Sequence, residues 1–275
     1  MINFQEKNRI NTRFDILSKK NEHALICYVV GGFPDLSSSI EIITCLVKAG
    51  ADIIEIGIPF SDPIADGSTI QQASYHSLLA GITPEKCLKI SKVIRKRFPD
   101  LPIIAMTYSN ILLREGICNF LKKSKASGID GFILPDMTLE ESDFYVEQAT
   151  QLGLATIFLI APNTSRKRLQ SIVKKSSGFV YLVSVYGTTG ARKSFDNYTL
   201  DTIKKVKQVT QSRNIPLAVG FGISSRRQAQ LVINSGADAI IIGSAIIDIV
   251  NGFANKKNIL QRLQSFIIDM KKICR

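Results

Sequence analysis

Three carboxylates crowd into one stretch of the chain: Glu55, Asp62 and Asp66 lie within Ile53-Ile54-Glu55-Ile56-Gly57-Ile58-Pro59-Phe60-Ser61-Asp62-Pro63-Ile64-Ala65-Asp66-Gly67. Isoleucines surround Glu55 as in a strand buried on both faces, so its carboxyl must find a partner or keep its proton. Burial of that kind pushes a carboxyl pKa upward, toward values at which one group both gives and takes protons near neutrality. An isolated buried glutamate is ordinarily the partner of a lysine or arginine. Here the strand runs straight into Asp62 and Asp66 on a Pro/Gly-punctuated loop, which points to proton-transfer chemistry.

A second chemistry is written late in the chain. Glycine-bearing segments stand at 186–192 (YGTTGAR), 220–224 (GFGIS) and 243–245 (GSA), each after a predicted strand. Glycines let backbone N–H groups approach an anion, and the dipole of a short helix predicted over Ser244–Val250 favours the anion's charge. Simple turns would account for one such segment. Three at successive strand ends predict a phosphate site. The segment Tyr186–Asn197 is small, polar and basic without hydrophobic periodicity, and reads as a lid beside it.

These residues need a scaffold that gathers strand ends. Strand-length apolar runs recur at Ala24–Val30, Asp52–Ile58, Pro102–Tyr108, Gly131–Pro135, Ala155–Ile160, Phe179–Val185, Pro216–Gly220 and Ala239–Gly243. Amphipathic helical segments are predicted at Ser38–Ala49, Pro84–Arg97, Leu139–Gln151, Arg166–Lys175, Leu200–Thr210, Ser225–Asn234 and Asn258–Ile273. Ser37–Ser39 can cap the first of these, Gly50 can end it, and Thr83-Pro84-Glu85 opens the second. Eight strands alternating with helices predict a (β/α)8 barrel forming a single domain over 1–275, with its active face at the C-terminal strand ends. A doubly wound open sheet is the alternative, but no GxGxxG fingerprint follows the first strand. The insert Phe60–Gly81 after strand two is long and holds a short helical candidate around Gln71–Leu79; an N-terminal segment, Ile10–Leu17, is suited to plug the barrel bottom.

Composition narrows the rest. At 275 residues, 45% hydrophobic and 21% charged, the chain has the balance of a soluble globular protein; no run approaches the roughly 20 apolar residues of a membrane span, and no signal peptide is evident. Cys27, Cys45, Cys87, Cys118 and Cys274 are odd in number and without a CxxC pair, which predicts reduced thiols. Two histidines, His23 and His76, leave little for a multi-histidine metal site or a serine–histidine–aspartate triad. The net charge of +12 is scattered over helix faces instead of forming an aromatic-interleaved stripe, so nucleic-acid binding is not expected.

Nearly end to end, the chain resembles the alpha subunits of tryptophan synthase. The stretch at 54–67 carries most of the resemblance, supported by Gly-Phe-Gly-Ile-Ser at 220–224 and Gly-Ser-Ala-Ile at 243–246. The resemblance implies a barrel that cleaves indole-3-glycerol phosphate by a retro-aldol reaction into indole and glyceraldehyde 3-phosphate, in L-tryptophan biosynthesis. It implies Glu55 as catalytic acid/base and Asp66 as the second catalytic carboxylate. It also implies substrate contacts at Tyr108, Tyr181, Thr189, Gly190, Phe221, Gly222, Gly243 and Ser244, Thr189 being the lid residue that meets Asp66. No metal or cofactor is expected in this chain. Pyridoxal phosphate is expected in a partner beta subunit, within an alpha2-beta2 heterotetramer, the partner meeting loops Pro59–Gly67 and Asp136–Glu141. Asp62 then falls to loop shape and partner contact. The family's Thr-x-Gly-Asp-Pro after strand one is replaced by Val30-Gly31-Gly32-Phe33-Pro34, its proline pair after strand four by Met137-Thr138, and the small pair before the lid glycine by Val185-Tyr186. These changes bear on partner coupling and lid timing.

Two rivals stand beside this reading. A related phosphate-binding barrel such as indole-glycerol-phosphate synthase calls for a catalytic lysine at a strand end, and the inward-facing runs offer none. A noncatalytic partner subunit would have no need of both Glu55 and Asp66. Cytoplasm and plastid stroma both suit such a chain.

Overall fold

The computed structural model describes residues 8–183, 197–220, 222–252 and 255–275. Its nine parallel strands are β1 (Ala24–Val30), β2 (Ile53–Gly57), β3 (Ile103–Met106), β4 (Gly131–Ile133), β5 (Ala155–Ile157), β6 (Leu159–Ile160), β7 (Val180–Val183), β8 (Leu217–Gly220) and β9 (Ala239–Ile242). They are ordered β5-β4-β3-β2-β1-β9-β8-β7-β6. The two ends of that order, β5 and β6, are consecutive pieces of one extended segment interrupted at Phe158. Tyr181 N–H still donates to the Phe158 carbonyl at 3.1 Å. The sheet therefore comes round on itself as a nearly closed eight-course barrel, with the predicted fifth strand broken in two.

Twelve helices complete the described chain: α1 (Arg9–Lys19), α2 (Leu36–Ala49), α3 (Ser68–Leu79), α4 (Pro84–Arg97), α5 (Ser109–Glu115), α6 (Ile117–Ala126), α7 (Asp143–Gln151), α8 (Arg166–Lys175), α9 (Asn197–Gln211), α10 (Arg226–Asn234), α11 (Ser244–Asn251) and α12 (Lys256–Lys271). Local chemistry sets their ends. Thr83 caps α4, with Pro84 in its first turn, and Gly50 ends α2 in the left-handed region at φ 115°. The α2 cap is Asp35, whose carboxylate accepts the Ser38 N–H, not the predicted Ser37–Ser39 run; a carboxylate there also answers the helix dipole. Sequence periodicity gave no helix after β3. The structure has two short ones, separated by Gly116 at φ 79°, each too brief to show a clear period.

Period-two alternation sends one set of side chains into the barrel. Ala24, Ile26, Ile53, Ile104, Ile133, Ala155, Ile157, Phe179, Ala218, Ala239 and Ile241 pack there with Ile10, Phe14 and Leu17 of α1. Phe14 meets Phe179 with ring centroids 5.9 Å apart. Helix α1 thus plugs the barrel bottom, as its spacing predicts; Asn8 ties it down by donating to the Asp130 and Gly153 carbonyls at 2.8 and 2.9 Å.

The bottom is also stapled by three aspartates, each one residue before a strand. Asp52 accepts Leu25 N–H and pairs with Lys271 at 2.7 Å. Asp130 accepts Ile103 N–H and pairs with Arg95 at 2.6 Å and Arg9 at 2.9 Å. Asp238 accepts Leu217 N–H and pairs with Lys207 at 2.6 Å. Each joins two neighbouring strands and an outer helix, which fits the division of such barrels into a stabilising N-terminal face and a working C-terminal face. All five cysteines are free thiols. Among the described residues no helix is long and apolar enough to cross a membrane.

Candidate active site

Above the plug, the inward-facing positions change character. Among the described residues, Glu55 is the only charged one in a strand. It is fully buried, and neither carboxylate oxygen has a hydrogen-bond partner among the described residues. Burial first, and the nearby charge of Asp66 second, push its pKa from 4.5 to about 8. A charge that cannot be solvated or paired keeps its proton instead.

Asp66 enters from the loop after β2. It is buried, and burial raises its pKa from 3.8 to about 6, against the lowering effect of a hydrogen bond from Tyr108. The Tyr108 hydroxyl donates to Asp66 Oδ2 at 3.2 Å and accepts Ala65 N–H at 3.1 Å, while its ring stacks on Phe60 at 5.0 Å. Gln71 of α3 holds the Asp66 carbonyl at 2.8 Å. The loop therefore turns Asp66 inward. Asp62, four residues earlier, is exposed and takes a hydrogen bond from Ser61. One loop thus separates two aspartates that look equivalent in sequence.

Tyr28 is a residue of this site that sequence reasoning missed. It is the register partner of Glu55 across β1 and β2. Burial first, then the charges of Asp66 and Glu55, raise its pKa well above the usual phenol value. Its ring fills space kept open by two glycines: a Cβ on Gly57 would stand 2.2 Å from the Tyr28 hydroxyl, and one on Gly243 would stand 3.1 Å from Tyr28 Cδ1. The two glycines at the ends of β2 and β9, the strands on either side of β1, were the available signal. Tyr181, on β7, is related in the same way to Gly220, whose Cβ would lie 2.5 Å from the Tyr181 hydroxyl. Burial again leads, followed by Glu55 and Asp66, in raising the Tyr181 phenol pKa.

The glycine-bearing strand ends lie on the side of the mouth next to Tyr28, because β9 pairs with both β8 and β1. Gly222 has φ 65°, with nothing within 4 Å of where its Cβ would be. Gly243 is the N-cap of α11, makes no side-chain cap, and is followed by Ser244 in the first turn. The first N–H groups of such a helix have no intrahelical acceptor, and they suit an anion. Thr189, Gly190 and Phe221 lie outside the described residues, as do the Val185-Tyr186 pair and all of the lid read at Tyr186–Asn197 except Asn197, which is the first residue of α9. Phe33, where the family pattern has aspartate, is buried and meets His76 of α3 edge to face at 5.5 Å; an apolar contact occupies the place of a charge. Among the described residues no group of three or more His, Cys, Asp or Glu is placed to hold a metal ion.

A parallel barrel with two carboxyls of separated pKa over a plugged core, and glycine-lined strand ends beside them, has the makings of an acid/base enzyme built on a barrel. The comparisons make the assignment specific. The family profile of the tryptophan synthase alpha chain matches residues 14–275. The tryptophan synthase alpha chain of Thermoanaerobacter sp. (strain X514) is 40% identical over 266 residues, covering 97% of this chain and 99% of its own. The crystal structure of the alpha chain from Legionella pneumophila superposes with a TM-score of 0.88 at 30% identity, with 97% of each chain covered. A tryptophan synthase complex from Pyrococcus furiosus gives 0.83 at 34% identity, over 90% of this chain and 98% of that one. The chain belongs to the tryptophan synthase alpha chain family. Its activity is that family's carbon–carbon lyase step, the cleavage of indole-3-glycerol phosphate in tryptophan biosynthesis. The alpha chain of this family is cofactor-free, pyridoxal phosphate residing in the beta subunit.

Proposed function

We propose that Glu55 and Asp66 divide the work of this cleavage. Glu55 is the acid/base, and Asp66 accepts the indole N–H and opposes the positive charge that develops on the ring. The observation that carries the reading is the contrast between the two carboxyls: Glu55 without a hydrogen-bond partner among the described residues and with a pKa of about 8, Asp66 held by Tyr108 with a pKa of about 6. Between those values the first is protonated and the second ionised. Glu55 then delivers its proton to indole C3. The bond from C3 to the glycerol carbon breaks, its electron pair returns to the ring, and the adjacent hydroxyl becomes the aldehyde carbonyl by giving its proton to the Glu55 carboxylate. The acid is restored in its starting form. Asp66 stabilises the charged ring nitrogen by a charge-assisted hydrogen bond.

On this reading the phosphate rests on Gly190, Gly222, Gly243 and Ser244, and Thr189 is the lid residue that meets Asp66. Tyr28, Tyr108, Tyr181 and Phe221 surround the indole end. The nearness of Tyr28 to both Gly243 and Glu55 supports a substrate lying across the β1 end. The whole chain, 1–275, acts as one domain.

A beta subunit is the expected partner, in an alpha2-beta2 heterotetramer. Solved relatives of this chain are described as tryptophan synthase complexes. Support on this chain comes from the loop after β2, which turns Asp66 inward while leaving Asp62 exposed and Ile64 77% exposed. The bacterial and archaeal sources of the relatives support a cytoplasmic setting and give no support to a plastid. Indole release from indole-3-glycerol phosphate, with and without a beta subunit, tests substrate, reaction and partner together. No indole from the chain in either condition would refute the catalytic reading, and an unchanged rate on mixing would refute the partnership.

A further inference from the structure

Helix α5 begins immediately after Tyr108, and Tyr108 at its N-cap makes no side-chain cap. The cap comes instead from the loop after β4. Asp136 accepts the Ser109 N–H with both carboxylate oxygens, at 2.9 and 3.0 Å, and the Ser109 hydroxyl at 2.5 Å. Charge-assisted bonds of this length are the stronger kind, and a bidentate set fixes direction as well as distance. The loop carrying Asp136 is itself anchored. Lys175 of α8 donates to the Leu139 carbonyl at 2.5 Å, and Arg168 grips both oxygens of Glu140 at 2.7 and 3.1 Å.

From Ser109 the connection continues inward. Thr107 N–H donates to the Ile133 carbonyl at 3.1 Å, so the backbone is held on both sides of Tyr108. The phenol then bridges Ala65 and Asp66, with Phe60 stacked on its ring. A half-buried aspartate outside the barrel mouth is thus two residues' contacts away from a carboxylate inside it.

We infer that Asp136 is a positioning residue for the reaction: by fixing the backbone at Ser109 it keeps the Tyr108 hydroxyl on Asp66. The inference rests on the role given to Asp66 above. Asp136 meets no reacting atom and acts through Tyr108 alone. Loss of its three contacts lets the phenol, and with it the Asp66 carboxylate, depart from the geometry that opposes charge on the ring nitrogen. Misplacement of this size costs rate more than binding.

The test is steady-state indole release from indole-3-glycerol phosphate by the full chain and its variants, each checked by thermal melting. Asp136→Ala should lower kcat on the order of tenfold and leave KM within about twofold. Asp136→Asn, which keeps an acceptor for the N–H, should recover most of that loss, and Ser109→Ala should lose less than Asp136→Ala. In a Tyr108→Phe background, Asp136→Ala should change kcat by less than about twofold, because the hydroxyl it positions is gone. Equal losses in both backgrounds, or an unchanged kcat in the single variant, would overturn the inference. Should Asp136→Ala fail to fold, the same comparison with Asp136→Asn and Ser109→Ala decides. Asp66→Asn separates the two claims: full activity in that variant removes the role of Asp66 itself, whereas inactivity with additive Asp136 and Tyr108 effects removes only the positioning.

Discussion

Glu55 and Asp66 are both buried, with their pKa values raised to about 8 and about 6, and the charge of Asp66 is one of the two causes that hold Glu55 up. Two carboxyls pushed apart in this way supply an acid and an anion at the same pH. The rate of cleavage, followed as kcat/KM for indole release, should therefore be bell-shaped. It falls below about pH 6, where Asp66 takes up a proton, and above about pH 8, where Glu55 loses one. The limbs belong to the coupled pair. A profile flat through both regions would remove the division of roles.

Tyr108→Phe should move that profile in a defined direction. The Tyr108 hydrogen bond lowers the pKa of Asp66, so removing it lets the carboxyl rise and the acid limb shift to higher pH. At the optimum kcat should fall on the order of tenfold. An acid limb that stays put, or shifts to lower pH, would show that the phenol does not hold Asp66 in the working enzyme.

Glu55→Gln should abolish indole release and yet stabilise the protein at high pH. The Glu55 pKa is raised from 4.5 to about 8 on folding, so the folded state holds a proton that the unfolded chain releases. That contribution to stability is fully present below about pH 4.5 and is lost as pH rises through about 8. Asp66 acts with the same sign between 3.8 and about 6. Glutamine is neutral throughout. Wild type and variant should melt alike near pH 4, and at pH 9 the variant should be more stable by on the order of a few kcal/mol. Equal melting at both pH values would mean that Glu55 is solvated or paired when ionised.

Much of this is legible in the sequence, and the rest has physical reasons for being hidden. Glu55 declares itself because a carboxylate inside an isoleucine run violates the pattern around it. Asp62 and Asp66 are chemically alike and four residues apart; only the turn of the loop, held by Tyr108 and Gln71, makes one exposed and the other buried. Tyr28 is invisible for the opposite reason. A tyrosine in a strand whose every residue is buried reads as core, and its place opposite Glu55 depends on the register of β1 against β2, which sequence periodicity does not fix. The interruption at Phe158 and the two short helices after β3 were likewise too brief to leave a period.

Gly57→Ala should cost activity through Tyr28. The new Cβ would stand 2.2 Å from the Tyr28 hydroxyl and 2.6 Å from Cζ, so the ring must move, and Gly243 leaves it little room on the other side. Indole release should fall by about tenfold or more. Replacing Tyr28 by leucine in the same chain removes the colliding atoms, and should return part of the stability lost, read by thermal melting, without restoring full rate. If Gly57→Ala alone kept wild-type kcat and KM, the Tyr28 ring would not be locked between the two strand ends.

The opposite face of the barrel should behave in the opposite way. Asp130 pairs with Arg95 at 2.6 Å and Arg9 at 2.9 Å while accepting the buried Ile103 N–H at 2.9 Å. Asp130→Ala leaves that N–H unsatisfied and the half-buried guanidinium of Arg95 short of its carboxylate, a loss of about 3 kcal/mol. For a chain of this size that corresponds to a melting temperature lower by roughly 6–12 °C. The kcat per folded molecule should not change, because the staple lies at the N-terminal end of the strands, one residue before β4, and the working face of such a barrel is the opposite one. Melting curves and active-site-normalised indole release decide together: a fully folded Asp130→Ala protein with a depressed kcat would show that the bottom staples reach the mouth, and the separation of a stabilising face from a working face would not hold for this barrel.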